Sequence, residues 1–185
     1  MFSLFTFFRR VIAPLKTPQG LTLSAMLIAM NCALRLLVIP VSSTINVSLF
    51  FLTAAVGAQL LGPIAAALIA AAGDLISYFV RPTGPFFPGF TLNALITGLI
   101  FGLFLFQKKP TFFRLAAAEL TQTAVISFGL SPIWLHLLYT TPYPVLYAER
   151  LVKAAILCPI ELLLLIAVCN AVYRVQRYHA DRVAP

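Results

Sequence analysis

Six apolar segments, separated by prolines, glycines and charged residues, make up most of this chain. A helix needs about 20 apolar residues to cross a bilayer, and the length of most segments approaches that value. Gly62-Pro63 leaves so little chain between the second and third segments that we expect them to form an antiparallel hairpin. The pattern predicts an all-α integral membrane protein with a six-transmembrane-helix bundle, from segments at approximately 21–39, 47–61, 63–80, 91–107, 115–138 and 147–173.

Composition agrees with a membrane protein, since 61% of the residues are hydrophobic and only 10% are charged. A soluble domain carries about a quarter charged residues. At 185 residues the chain is long enough for one membrane domain, which we expect at 21–173. Residues 1–20 are predicted to form an amphipathic segment on the cytoplasmic membrane surface, and 174–185 a basic cytoplasmic tail. The short second segment is expected to be tilted or only partly inserted.

The net charge is +8, and the positions of the lysines and arginines predict the orientation of the bundle. Lysine and arginine concentrate beside apolar segments, as the positive-inside rule predicts for cytoplasmic loops. We therefore expect both termini in the cytoplasm and no nucleic-acid partner, because there is no basic surface with interleaved aromatic residues. The nine residues of these clusters are Arg9, Arg10, Lys16, Lys108, Lys109, Arg114, Arg174, Arg177 and Arg182.

The stretch between the third and fourth segments is rich in proline, glycine and phenylalanine, and it faces outward in this orientation. Three prolines and two glycines within 82–90 favour a fixed loop from Arg81 to Phe90. Phe87 and Phe90 lie on it, so the loop is a candidate lid for a flat aromatic solute. Asn93 opens the next segment, where its amide is expected under the lid.

Few charged residues lie inside the apolar segments, and such residues usually face a cavity or a partner. Arg35 and Asp74 permit two interpretations: a structural ion pair, or two sides of a solute pocket. In the pocket, Asp74 would accept hydrogen bonds from an amino-pyrimidine edge and Arg35 would bind a carboxylate. Glu119 is expected to be structural or to lie at the membrane interface, with Arg114 as its candidate partner.

Further candidates lie in the first and last two segments. Arg150 and Lys153 share a helix face at the outward end of the sixth segment, which suits either an anionic solute or anchoring at the membrane surface. Trp134 belongs to an aromatic belt or to a pocket wall. A face of small residues on the first segment suits close approach by another helix, or packing inside the bundle; its members are Ala25, Ala29 and Ala33.

The sequence lacks the usual signatures of catalysis. It has no phosphate-binding loop of the Gly-x-x-x-x-Gly-Lys type and no Gly-x-Ser-x-Gly. His136 and His179 are too far apart to form a metal-binding pair on one helix. Its three cysteines lie in apolar segments, where they are expected to be small buried hydrophobes. We therefore expect a protein that is not an enzyme and that needs no cofactor or metal.

Several short stretches of the chain, taken in order, resemble the substrate-binding S components of energy-coupling factor vitamin transporters, particularly the folate-specific branch. The specific stretch is Pro82-Thr-Gly-Pro-Phe-Phe-Pro-Gly-Phe-Thr-Leu-Asn93. The others are Ala25-Met-Leu-Ile-Ala29, Arg35-Leu-Leu-Val-Ile-Pro40, Leu61-Gly-Pro63, Gly73-Asp74, Gly98-Leu-Ile-Phe-Gly102, Arg150-Leu-Val-Lys153 and Pro159-Ile-Glu161.

The resemblance implies a six-helix bundle in a prokaryotic cell membrane that binds a vitamin from outside. It also implies a transmembrane T component, on which the alanine face of the first helix docks, and two cytoplasmic ATPases. The chain departs from the family pattern in two places: Ser131-Pro132 replaces a polar Asn-Thr pair, and Ala154 replaces a glutamine.

The prediction for function is binding of folate for ATP-driven import. The loop phenylalanines and Trp134 would sandwich the rings, Asp74 or Asn93 would read the pterin edge, and three cations would neutralise the carboxylates: Arg35, Arg150 and Lys153. The alternatives are an S component for another vitamin such as pantothenate, a small membrane enzyme, and a structural membrane subunit without a solute.

Overall fold

The computed structural model describes residues 17–36, 38–40, 46–82, 85–140 and 142–183, without side chains at 38–40, 46–48 and 179–183. Most of the predicted amphipathic segment, residues 1–16, lies outside the described residues. The described part is almost entirely helical. Its elements are α1 (Pro18–Leu36), β1 (Val38–Pro40), β2 (Asn46–Ser48), α2 (Phe51–Leu61), α3 (Pro63–Val80), α4 (Pro88–Leu105), α5 (Phe112–Gln122), a π-helical segment (Thr123–Leu130), α6 (Ser131–Tyr139) and α7 (Tyr143–Val183).

Four of the described helices are long and apolar enough to cross a membrane: α1, α3, α4 and the part of α7 from Tyr143 to Tyr178. Helix α2 is apolar but has only 11 residues, in line with the short second segment. Helix α5, the π-helical segment and α6 follow one another without a break, where the sequence predicts one segment over 115–138. Helix α7 runs for 41 residues and passes residue 173 without interruption.

Between α1 and α2 the chain forms a small antiparallel hairpin that the sequence analysis did not predict. Strand β1 pairs with β2 in the register Val38 with Ser48 and Ile39 with Val47. Helix α1 ends at Leu36, so the expectation of a helix through residue 39 is wrong. Two consecutive β-branched residues favour an extended backbone, which explains the early end of the helix.

The loop after α3 is shorter than the prolines suggested. Helix α4 already begins at Pro88, in the first helical turn, and it includes Gly89 and Phe90. A proline at this position loses no hydrogen bond, since the first N–H groups of a helix have no partner within it. The predicted loop over 81–90 therefore ends at Phe87, which is the last extended residue before the helix.

The core is built on the contact between α3 and α4, which approach each other through small residues. A Cβ atom added to Gly98 would lie only 2.5 Å from the backbone oxygen of Ala66. An added Cβ at Gly102 would overlap the backbone of Pro63. Side chains of α2, α5 and α7 complete the core around Phe101 and Leu115, which are fully buried.

Candidate functional site

A pocket of about 570 Å³ opens where the loop before α4 meets α3 and α6. Its volume is in the range of small-molecule sites, about 300–1,000 Å³. Nearly all of its surface is carbon, which suits a flat and largely apolar ligand. The lining residues are Leu75, Phe86, Phe87, Pro88, Gly89, Thr91, Leu92, Leu95 and Trp134.

Aromatic rings form one wall of this pocket. The ring of Phe87 lies 5.5 Å from that of Trp134 at an interplanar angle of 53°, and both residues line the pocket. Phe90, whose ring is 6.0 Å from that of Phe87, is not among the lining residues. Gly89 is buried beside them, and a Cβ atom there would collide with both Phe87 and Trp134. The glycine therefore allows the rings to come together, and the structure brings Phe87, Phe90 and Trp134 to one place as the sequence analysis expected.

Asn93 lies next to this wall, and its side-chain amide makes two hydrogen bonds. Its Oδ1 accepts a hydrogen bond of 3.1 Å from the indole Nε1 of Trp134. Its Nδ2 donates to Oγ of Ser131 over 3.2 Å. The sequence analysis noted Ser131 only as a departure from a family pattern, and nothing in the spacing indicated that it would meet Asn93 from 38 residues away.

Arg35 and Asp74 form an ion pair, with Nη1 and Oδ1 2.9 Å apart. The predicted pairing of the two residues is thus present in the structure, while a part in ligand binding stays a prediction. The other carboxylate oxygen of Asp74 accepts a hydrogen bond of 2.8 Å from Thr91, a pocket residue. Asp74 therefore lies next to the pocket.

Arg35 is fixed from two further directions. Its Nε donates to Oδ1 of Asn31 over 3.0 Å, and its guanidinium lies 3.9 Å from the ring centre of Phe50. Asn31 in turn donates to Thr53 and to the backbone oxygen of Phe50. The sequence analysis missed Asn31 and Thr91, although a polar side chain within an apolar segment is itself a signal of a buried contact.

Arg150 and Lys153 lie in the early turns of α7 and are half-buried. Neither is among the residues that line the pocket. The beginning of α7 is fixed to α6 by the ring of Tyr143, which stacks on His136 at 4.3 Å. Binding of a solute by the two cations stays a prediction.

The alanine face of α1 is exposed, since Ala25, Ala29 and Ala33 all point away from the bundle. Met26 and Met30 flank it and are 68% and 54% exposed. Packing of this face inside the bundle, one of the two interpretations drawn from the sequence, is therefore wrong. Its use by a partner stays a prediction.

The side chain of Glu119 is fully buried, at 1% exposure. Neither carboxylate oxygen has a hydrogen-bond partner of ordinary geometry within the described ranges. The expected pairing with Arg114 is wrong, because Arg114 donates to the backbone oxygen of Lys109 instead. The acidic neighbour of Glu119 is Glu161 from α7. Across the described residues, no three His, Cys, Asp or Glu side chains come together as a metal site would require.

Curated relatives of this chain are folate transporters. It is 31% identical to the folate transporter FolT of Clostridium novyi over 132 residues, which cover 71% of this chain and 77% of that protein. It is also 31% identical to FolT of Leuconostoc mesenteroides over 159 residues, covering 83% and 85% of the two chains. A crystal structure of FolT bound with folic acid superposes with a TM-score of 0.75 at 29% identity, covering 83% of this chain and 92% of the other.

A family model for the substrate-specific component of ECF transporters matches residues 19–174. This range contains all the residues that line the pocket, the Arg35–Asp74 pair and the alanine face. The apolar helices agree with a membrane-embedded, multi-pass protein of a transporter family. The chain belongs to the substrate-specific components of ECF transporters.

Proposed function

We propose that this chain binds folate, or a reduced folate, as the substrate-binding subunit of an ATP-driven vitamin importer. The observation that carries the proposal is the likeness to FolT bound with folic acid, at a TM-score of 0.75 over 83% of this chain. The FolT relatives support it at the level of sequence. The pocket adds an independent argument, because its aromatic and apolar surface suits a molecule with a flat pterin and an aminobenzoate ring.

In this proposal the pocket wall stacks on the rings of the ligand. The ring of Phe87 already lies within ring-contact distance of both Phe90 and Trp134. Aromatic pairs contribute about 0.5–1.5 kcal/mol each beyond the area that they bury. Asp74 would read the amino-pyrimidine edge, since a carboxylate oxygen that accepts one hydrogen bond can still accept another.

The two glutamate carboxylates of folate require cations, and three lie on the proposed outward side of the bundle. Arg35 is already paired with Asp74, so we assign it to one end of the pocket, where it both fixes Asp74 and offers its guanidinium edge. Arg150 and Lys153 are one turn apart on α7 and would neutralise the ligand beyond the aromatic wall.

The proposed topology has six membrane crossings, with both termini in the cytoplasm and the loop before α4 outside, in a prokaryotic cell membrane. The α5–α6 rod, including its π-helical segment, would supply the fifth crossing. Single cysteines at Arg81 and Lys109, in a background without native cysteine, test this arrangement. An impermeant maleimide should label Arg81→Cys but not Lys109→Cys in intact cells, and the reverse pattern would invert the topology.

The proposed partners are a transmembrane T component, which would dock on the exposed alanine face, and two cytoplasmic ATPases that supply the energy. Ala29→Trp should keep folate binding but abolish uptake, because a bulky side chain prevents close approach of helices. Leu163→Trp is the matched control, since Leu163 is an exposed residue of α7. Normal uptake by Ala29→Trp would remove the alanine face from the partner interface.

Titration calorimetry of the detergent-purified chain tests the proposed ligand. Folate should bind tightly at one site, whereas pantothenate, riboflavin and thiamine should not bind. Binding of pantothenate instead would keep the transporter family and change the vitamin. If none of the four compounds binds, and size-exclusion chromatography shows that the protein is folded, a structural subunit is favoured. If the chain alone converts a compound into a product, an enzyme is favoured.

A further inference from the structure

Asn93 differs from the other polar residues near the pocket in the direction of its side-chain amide. The side chain is 7% exposed, and it is not among the residues that line the pocket. Its oxygen accepts from the Trp134 indole and its nitrogen donates to Ser131. The amide therefore faces α6 and is engaged at both ends.

We propose that Asn93 is a positioning residue, which fixes the indole of Trp134 in the orientation that an aromatic ligand requires and is itself oriented by Ser131. The inference rests on the proposed function for the identity of the ligand. It differs from the expectation drawn from the sequence, in which Asn93 contacts the pterin directly.

A hydrogen bond that holds the indole matters because Trp134 and the other pocket residues lie on different helices. Trp134 is on α6, directly after the π-helical segment, whereas the rest of the pocket comes from α3, α4 and the loop before α4. The Asn93–Trp134 hydrogen bond connects α4 with α6 at the pocket wall. The indole also contacts the ring of Phe87 on one side. It has room beside Gly89 because that residue has no side chain.

Ser131 completes the hydrogen bonding of the Asn93 amide. An asparagine amide can turn over, but the indole N–H can only donate, so the indole selects the orientation in which Oδ1 faces it. In that orientation the Ser131 hydroxyl accepts from Nδ2 and so holds the amide in place. Asn93 is 7% exposed, so loss of this acceptor would leave a buried amide N–H without a partner, which is costly.

Fluorescence of the ligand-free protein tests this proposal directly, because Trp134 is the single tryptophan of the chain. Asn93→Leu removes both hydrogen bonds at similar volume, and Ser131→Ala removes only the supporting one. Thr97→Val is the matched control: Thr97 is buried one turn further along α4, and its hydroxyl donates to the backbone oxygen of Asn93 and not to the side-chain amide. Each variant is measured by acrylamide quenching, by fluorescence anisotropy and by folate titration.

We expect Asn93→Leu to raise the quenching constant of Trp134 about twofold or more, to lower its anisotropy, and to weaken folate binding about tenfold or more. Ser131→Ala should change all three in the same direction by less, and Ser131→Thr should restore them. Thr97→Val should resemble the parent protein. In a Trp134→Phe background, Asn93→Leu should weaken binding by less than about threefold, because no indole remains to be positioned.

Unchanged quenching and anisotropy in folded Asn93→Leu would overturn the proposal. Changed fluorescence with unchanged folate affinity would overturn it as well, because the orientation of the indole would then not matter for binding. An equal loss of affinity with and without Trp134 would mean that Asn93 acts directly on the ligand. Should Asn93→Leu fail to fold, Ser131→Ala decides by the same criteria. Should the parent protein bind no folate, the proposed function fails alone, and the ligand-free fluorescence still decides whether Asn93 fixes the indole.

Discussion

The N-terminal half of the described bundle (α1 to α4) and its C-terminal half (α5 to α7) are held together in different ways. In α4 half of the residues are buried, and in α3 44%, whereas only 6% are buried in the most apolar 18-residue stretch of α7. The N-terminal half also pairs its membrane charges, Arg35 with Asp74. The C-terminal half leaves the buried carboxyl group of Glu119 without such a partner.

The pocket lies between these two halves of the bundle. All of its lining residues except Trp134 come from α3, α4 and the loop before α4. A glycine- and alanine-packed pair of helices gives that side little freedom to adjust, because closely packed backbones cannot yield to strain. We expect the side chains and backbone of α6 and α7 to move when a ligand binds, more than those of α3 and α4. Four changes to the sequence test this difference between the halves, from the largest expected effect to the smallest.

The first change overfills the contact between α3 and α4. Gly98→Leu should abolish folding, since a Cβ at Gly98 already meets the backbone of Ala66 at 2.5 Å. Overpacking costs about 1–3 kcal/mol where side chains can move, and backbone atoms move less readily. Size-exclusion chromatography in detergent measures the yield of folded protein. Gly129→Leu, on an exposed residue of the π-helical segment, is the control and should remain folded; equal yields would contradict the contrast between the halves.

The second change leaves a charge of the N-terminal half unpaired. Asp74→Asn keeps the shape of the side chain but removes the partner of Arg35. Loss of one member of a buried ion pair costs about 3–5 kcal/mol, and we expect the lower end because the two side chains keep 18% and 15% exposure. Thermal unfolding of the ligand-free protein measures it. Adding Arg35→Gln should recover part of the loss, whereas a further additive loss would argue against a stabilising pair.

The third change removes the cations of the C-terminal half. Arg150→Ala with Lys153→Ala should leave folding intact and weaken folate binding about tenfold, which corresponds to about 1.4 kcal/mol. Lys108→Ala with Lys109→Ala removes the same charge from the loop between α4 and α5 and should leave affinity unchanged. Equal affinities of the two double variants, measured by calorimetry, would remove Arg150 and Lys153 from the site.

The smallest effect is expected at Glu119. Glu119→Gln removes an acidic group that faces Glu161 without a cation, so the free energy of unfolding should stay the same or rise by up to about 1 kcal/mol. Glu149→Gln, on an exposed residue, serves as the control. A loss of more than about 2 kcal/mol would indicate that the carboxylate of Glu119 has a partner that stabilises it.

Much of the fold was predictable because bilayer helices follow from uninterrupted apolar length. The third segment matches α3 residue for residue, and the fourth begins only three residues late. The errors lie where local chemistry decides. Pro88 was interpreted as part of a loop although proline also begins helices, and Val38-Ile39 as helix although the residues form a strand.

The site was predictable as a set of residue types but not as a set of contacts. The loop phenylalanines and Trp134 were found because aromatic residues beside prolines are conspicuous in the sequence. Thr91 and Ser131 were not, because their partners are 17 and 38 residues away and no periodicity links such distances. The π-helical segment, which sets the rotation of α6 relative to α5, also has no recognisable sequence pattern.

The length of α7 has a mechanical consequence. At 1.5 Å per residue, 41 residues make a rod of about 60 Å, roughly twice the hydrocarbon thickness of a bilayer. The stacking of Tyr143 on His136 fastens its beginning, while its far end extends well past the core of the bundle. Pro159 lies within α7 and removes one hydrogen bond of the helix, so it is the point at which the helix bends most easily. When the whole helix rotates by 20° about its base, its tip moves by about 20 Å. A spectroscopic label near Arg177 would therefore move much farther than the core when α7 tilts, so that small tilts can be measured.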